Sequence, residues 1–120
     1  PLAILSMVLL TGCSKLKYDR AETINPGEAK TFTIDAPNAE QSIQVKITAT
    51  DSEVSATIIP ARDLPSKPTL ETLDKVQAYA SDQNKKEITL TATIPAKVDY
   101  TVVIYGAKKS TPFTLNIQGK

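Results

Sequence analysis

A chain of 120 residues that is 41% hydrophobic, with 14 Lys and Arg against 13 Asp and Glu, has the make-up of one small globular domain. The net charge of +1 carries no block of like charge, which argues against nucleic acid as a partner. With no histidine and a single cysteine, the commonest general base, most zinc and copper sites, Cys- or Ser-His nucleophilic catalysis and any internal disulfide are all excluded.

The first segment, Leu2 to Leu10, is apolar apart from Ser6 and gives way to Thr11-Gly12 just before Cys13. This is the order of a secretory h-region and its cleavage site, and the run is too short to cross about 30 Å of hydrocarbon as a helix. Opening on Pro1 with no basic n-region, the chain is expected to be a precursor whose first residues lie before Pro1, with residues 1–12 as the signal peptide remnant. All charged side chains follow Cys13.

Leu10-Thr11-Gly12-Cys13 resembles the lipobox of bacterial lipoproteins. The resemblance implies cleavage between Gly12 and Cys13, diacylglycerol on the Cys13 thiol and a further acyl chain on its amine. Two or three chains anchor stably where one binds membranes only marginally. The expected address is the cell envelope, and in a Gram-negative bacterium Ser14 after Cys13 favours the outer membrane, on its periplasmic or surface side. The membrane is then a partner through the acyl chains.

Residues 13–27 are polar and end in the turn signal Asn25-Pro26-Gly27. They are expected to be the lipidated cysteine and a tether, on the order of 40 Å if fully extended, with the domain proper at 28–120.

From Gly27 on, period-two alternation predicts strands with one buried face. Phe32 and Ile34 form the first such set, followed by Ile43, Val45, Ile47 and Ala49. Asp51-Ser52 predicts a tight turn and a hairpin into Val54, Ala56 and Ile58, which Pro60 ends. Residues 61–74 hold Pro65, Pro68 and the pair Leu70 and Leu73, which predict one short helical turn over an end of the core. Val76, Ala78 and Ala80 predict another strand, closed by a polar turn at Asp82-Gln83-Asn84-Lys85-Lys86. Ile88, Leu90, Ala92 and Ile94 alternate with threonines. Residues 100–105 are apolar on both faces, which places that strand centrally. Gly106 to Ser110 predicts a hairpin loop before the closing strand Phe113, Leu115 and Ile117. The sum is an all-β fold: a single β-sandwich of about seven antiparallel strands with Greek-key or jelly-roll connections.

Asp99-Tyr100-Thr101-Val102-Val103-Ile104-Tyr105-Gly106, a short loop and Pro112-Phe113-Thr114-Leu115-Asn116-Ile117 resemble the end of the bacterial pre-peptidase C-terminal domain. Tyr100 takes the tyrosine position, Gly106 the glycine and Phe113-Thr114-Leu115 the closing triplet. The resemblance spans roughly Glu28 to Gly119 and implies a jelly-roll-like sandwich. Such domains accompany secreted enzymes and assist substrate binding, secretion or stability, and some bind calcium.

Candidate chemistry is sparse. Asp51 with Glu53, and Asp82 near Asn84, are carboxylates at turns and would supply part of the six to eight oxygens of a Ca²⁺ site only if their loops converge. Tyr79 and Tyr105 are expected to point away from the Val76 and Tyr100 faces, where exposed rings stack on sugars. Lys85-Lys86 and Lys108-Lys109 have the setting of solvated loop tips, and the Ser14-x-x-Lys17 pair lies in the tether, where nothing desolvates the lysine. The chain is therefore expected to be non-enzymatic, without a cofactor, and to act as a binding, accessory or structural module for an envelope protein or glycan. A carbohydrate- or calcium-binding module is the alternative, and a hydrolase the less favoured one.

Overall fold

The computed structural model describes residues 16–119 as two four-stranded antiparallel sheets packed face to face. In chain order the strands are β1 (Lys17–Ile24), β2 (Lys30–Ile34), β3 (Gln41–Ala49), β4 (Val54–Pro60), β5 (Ala80–Lys85), β6 (Glu87–Ile94), β7 (Tyr100–Tyr105) and β8 (Thr111–Gly119). A 3₁₀ turn at Ala61–Asp63 and the single-turn helix α1 (Leu70–Leu73) lie between β4 and β5. Sheet I has the order β1-β8-β3-β6 and sheet II the order β2-β7-β4-β5. Every connection but β4–β5 crosses between the sheets, which is a jelly roll. The lipobox, with Gly12 and Cys13, lies outside the described residues. Among the described residues no helix is long and apolar enough to cross a membrane.

The alternation seen in the sequence becomes the core. Phe32 and Ile34 of β2, Ile43, Val45 and Ile47 of β3, Ile88, Leu90 and Ile94 of β6, and Phe113, Leu115 and Ile117 of β8 all turn inward and are buried. Phe32 and Phe113 meet edge to face across the sheets, with ring centroids 6.2 Å apart. Strand β7 is central to sheet II, as its two apolar faces require.

Several expectations are corrected. Residues 17–24, assigned to the tether, form edge strand β1, which pairs with β8 from Lys17↔Gln118 to Ile24↔Thr111. The sandwich thus includes residues 17–24, ahead of the expected start at 28, and the described strands number eight. The expected hairpins at Asp51-Ser52 and at Gly106 to Ser110 are arches between sheets, because their flanking strands pair with different partners. The strand expected over Val76 to Ser81 begins only at Ala80 and runs to Lys85, through the expected polar turn. Val76 and Ala78 belong instead to a strap that covers sheet II.

That strap, residues 61–79, gives the molecule a second apolar layer. Leu64, Leu73, Val76 and Ala78 pack on Ile59, Val103 and Tyr105, which point out of sheet II. Strands β4 and β7 are consequently buried on both faces along their whole length. The helical turn covers the outer face of a sheet rather than an end of the core. Thr69 caps it: the Thr72 backbone N–H donates to Thr69 Oγ1 at 3.2 Å, and the Thr69 N–H donates to Thr72 Oγ1 at 2.8 Å.

Tyr100 fills the interior, and its hydroxyl has no hydrogen-bond partner among the described residues. Burial pushes its pKa up to about 12. An unmet buried hydroxyl costs its full desolvation, so Tyr100→Phe is expected to raise stability by up to about 1 kcal/mol. Urea unfolding checks this, and a clear loss of stability would contradict it.

Candidate functional site

Strand β5 departs from regular pairing at one point. Val54 pairs with Lys85 and Ala56 with Asp82, so β5 carries one residue more than β4 across this interval. The extra length is a bulge at Gln83-Asn84. Asn84 is left-handed at φ 58°, and its N–H donates to Ser55 Oγ at 3.2 Å on the facing strand. The bulge interrupts the β4–β5 ladder between these two pairs.

Around the bulge lies a cleft of about 340 Å³, walled by the β1–β2 turn (Gly27, Glu28), Ser55, the start of α1 (Thr69, Leu70), Gln83, Asn84, Tyr105 and the β7–β8 arch (Gly106, Lys108). Gly27 and Gly106 are also left-handed, at φ 79° and 77°. Among the described residues, three of the four with positive φ therefore converge on one cleft. The segments are tied from outside: Ser110 Oγ donates to Asn25 Oδ1 at 2.7 Å, and the Lys108 N–H donates to Ser52 Oγ at 3.0 Å. At the mouth Leu70 is 51% exposed, the one large hydrophobic side chain so placed among the described residues. Tyr105 forms the floor and also lines a second hollow of about 270 Å³, with Leu73, Asp74, Val76 and Gln83. Burial pushes its phenol above the ordinary range.

Two carboxyls near the cleft are held below their usual range. For Glu28 the main cause is the Asn25 backbone N–H, which donates to Oε1 at 3.0 Å, with Lys30 adding to it. For Asp82 the causes are the Lys85 ammonium at 2.9 Å and then the Gln83 N–H. A carboxyl with a lowered folded-state pKa favours folding while ionised, so its contribution is present at neutral pH and is lost as pH falls through that pKa. Both groups are at the surface and the effect is small. Asp82→Asn should accordingly flatten the acid limb of the thermal midpoint below about pH 5, with wild type and variant converging once the pH is below both the unfolded and the folded carboxyl pKa.

The sites named from sequence do not assemble. Tyr105 is 5% exposed and packs under the strap, whereas Tyr79 is half-buried against the inner core. They belong to different clusters and form no common platform for a sugar. Asp51 and Glu53 are exposed on the β3–β4 arch, and Asp82 is occupied by Lys85. Among the described residues no three metal-ligating side chains gather. Ser55 has no signal in the sequence, while Leu70 stands out there only as part of the helical turn and Asn84 only as the neighbour of Asp82. The turn signals at Asn25-Pro26-Gly27 and Gly106 were visible, but nothing local ties them to Asn84.

The fold and the cleft define a jelly-roll β-sandwich whose loops at one end frame a recess. No protein family matches the chain by sequence, and no curated protein does. Solved structures match in fold. The periplasmic inhibitor of g-type lysozyme (PliG) from Aeromonas hydrophila superposes with a TM-score of 0.64 at 14% identity, over 87% of this chain and 86% of that one. The pre-peptidase C-terminal domain of a Bacillus anthracis collagenase gives 0.64 at 10% identity, over 85% and 89%. The Yersinia pseudotuberculosis-derived mitogen gives 0.60 at 6% identity, over 85% and 84%. The similarity to a pre-peptidase C-terminal domain, read above from the last two strands, thus holds at the level of fold.

Proposed function

We propose that this chain is a lipid-anchored, non-catalytic module of the bacterial cell envelope that binds an envelope protein through the cleft under the strap. The observation that carries the reading is the convergence of Gly27, Asn84 and Gly106, all left-handed, with an exposed Leu70. Asn84 is the one non-glycine of the three, and left-handed backbone at such a residue persists where the surrounding structure over-determines it and clusters at binding sites. Leu70 on the rim supplies the apolar contact that a protein partner buries, while Glu28, Lys108 and Thr69 supply a polar margin.

The anchor rests on Leu10-Thr11-Gly12-Cys13. Incorporation of radioactive palmitate should occur in the wild type and be lost in Cys13→Ala, and equal labelling would defeat the anchor. For the cleft, capture from envelope extract by the wild type should be lost in Leu70→Glu, a surface change that leaves the core intact. Identical capture by both would move the site elsewhere. A protein-binding inhibitor is a specific form of this reading: the Aeromonas protein is named as one, and an apolar side chain protruding beside a recess suits insertion into an enzyme's groove. Inhibition of a g-type lysozyme by the wild type and not by Leu70→Glu would support it.

A further inference from the structure

The two sheets have four edges, and three of them carry features that discourage another strand from adding. Strand β1 places Lys17, Asp19, Arg20 and Glu22 along its length. Strand β2 is five residues long, and β5 is bulged and carries Asp82 and Lys85. Charge, shortness and bulges are the usual protections of an exposed edge. Strand β6 carries its only charge at its first residue, Glu87. From Ile88 to Ile94 it holds no charge and no proline, and it pairs with β3 in unbroken register from Gln41↔Ile94 to Thr48↔Glu87.

The free hydrogen-bonding groups of β6 can be assigned. The Ala49 N–H donates to the Lys86 carbonyl at 2.7 Å, next to the Thr48↔Glu87 pair. Bonded and non-bonded pairs alternate along an antiparallel ladder. Ile88, Leu90, Ala92 and Ile94 therefore bond to β3, and Thr89, Thr91 and Thr93 turn their N–H and C=O groups outward, where no described residue pairs with them.

We propose that β6 is a homodimer edge, at which a second copy of this chain adds its own β6 antiparallel about a two-fold axis through Thr91. In this register Thr91 faces its own copy and Thr89 faces Thr93, so the three outward residues of each strand exchange both of their bonds. The same register sets Ile88 against Ile94 and Leu90 against Ala92 on the inward side. Threonine meets threonine, aliphatic meets aliphatic, and Glu87 falls opposite Pro95, beyond the strand, so no like charges are opposed. An isologous contact of this kind closes at two copies. It is self-complementary in hydrogen bonding, side-chain class and charge, which a partner of unrelated sequence would match only by coincidence. Pairing through one strand buries little surface, so the dimer is a weak one.

Sedimentation equilibrium on the full chain carrying Cys13→Ala, in mild detergent at up to about 0.5 mM, reads the proposal directly. A monomer–dimer equilibrium is expected. Thr91→Pro removes an N–H that bonds nothing within the subunit and is tolerated at an edge; Thr91→Lys is a second variant that needs no backbone adjustment. Each should keep the wild-type thermal midpoint within a few degrees and weaken association at least tenfold. In the Cys13→Ala background Thr91→Cys holds the only thiol and should form a disulfide-linked dimer on oxidation, whereas Thr23→Cys on β1 should not. A chain that stays monomeric, a dimer indifferent to Thr91→Lys, or cross-linking of Thr23→Cys as efficient as that of Thr91→Cys would overturn the proposal.

Discussion

A chain cut to begin at Glu28 should fail to hold this fold. The deletion removes β1, and with it Ile24, which is fully buried, and Tyr18, which packs on the same core. Losing one buried isoleucine costs about 2–4 kcal/mol from transfer and cavity together. Loss of the β1 ladder adds to this, because Phe113, Leu115 and Ile117 of β8 would then stand at an open edge. The total, about 5 kcal/mol or more, is comparable with the whole stability of a small domain. Circular dichroism and urea titration should find no cooperative transition, or one shifted far down, while a chain beginning at Leu16 unfolds normally. If both truncations unfolded within about 0.5 M urea of each other, β1 would be dispensable.

Leu73→Asp is expected to act differently, by releasing the strap while the sandwich survives. Leu73 is 5% exposed and sits between the strap and Ile59, Val103 and Tyr105. Placing a carboxylate there without a partner costs several kcal/mol if the strap stays down. Detaching the strap avoids that cost and forfeits only the smaller cluster, since the inner core does not depend on it. Hydrogen exchange should accelerate along residues 61–79 and at the cleft, a dye for apolar surface should bind, and the inner strands β3 and β8 should remain protected. Uniform loss of protection across β3 and β8 would instead make the strap part of one cooperative unit.

The contrast between these variants follows what the sequence could and could not convey. Strong alternation at Ile43 to Ala49, Ile88 to Ile94 and Phe113 to Ile117 marked both the strands and their inward faces. The two-sided apolar run Tyr100 to Tyr105 marked a central strand. Alternation says nothing about which sheet a strand joins, so Asp51-Ser52 and Gly106 to Ser110 read as hairpins although each carries the chain across the sandwich. Strand β1 was missed because Arg20 and Glu22 occupy the alternation between Tyr18 and Ile24. Glu22 lies 3.6 Å from Lys30 of β2 across the open side, and the Arg20 guanidinium lies 4.2 Å over the Tyr18 ring, so these charges need not be buried. Val76 and Ala78 mimicked a strand because a segment laid along a sheet also buries alternate residues. The cleft was the least legible feature. It draws on five separate stretches of chain, and only the register of β5 against β4 brings Asn84 to Ser55.

The place where the chain enters sheet I has a consequence for posture. The Gly119 N–H donates to the Leu16 carbonyl at 2.9 Å, which pins residue 16 at the end of β1 remote from Gly27 and the cleft. The eight residues of β1 separate these poles by about 27 Å, whereas Cys13 precedes Leu16 by a chain length of only about 10 Å. A single acylated copy would therefore stand upright on a bilayer, with its cleft facing away from the lipid. Two copies joined through β6 run antiparallel, so the entry point of each lies at the same end of the pair as the other's cleft. Because β1 is the edge of sheet I farthest from β6, the two entry points lie at diagonally opposite corners of the paired sheets, and both anchors reach one bilayer only when the strands tilt from its normal. Association would thus tip the cleft from a distal to a lateral position, and surface density on the membrane would decide which way it opens.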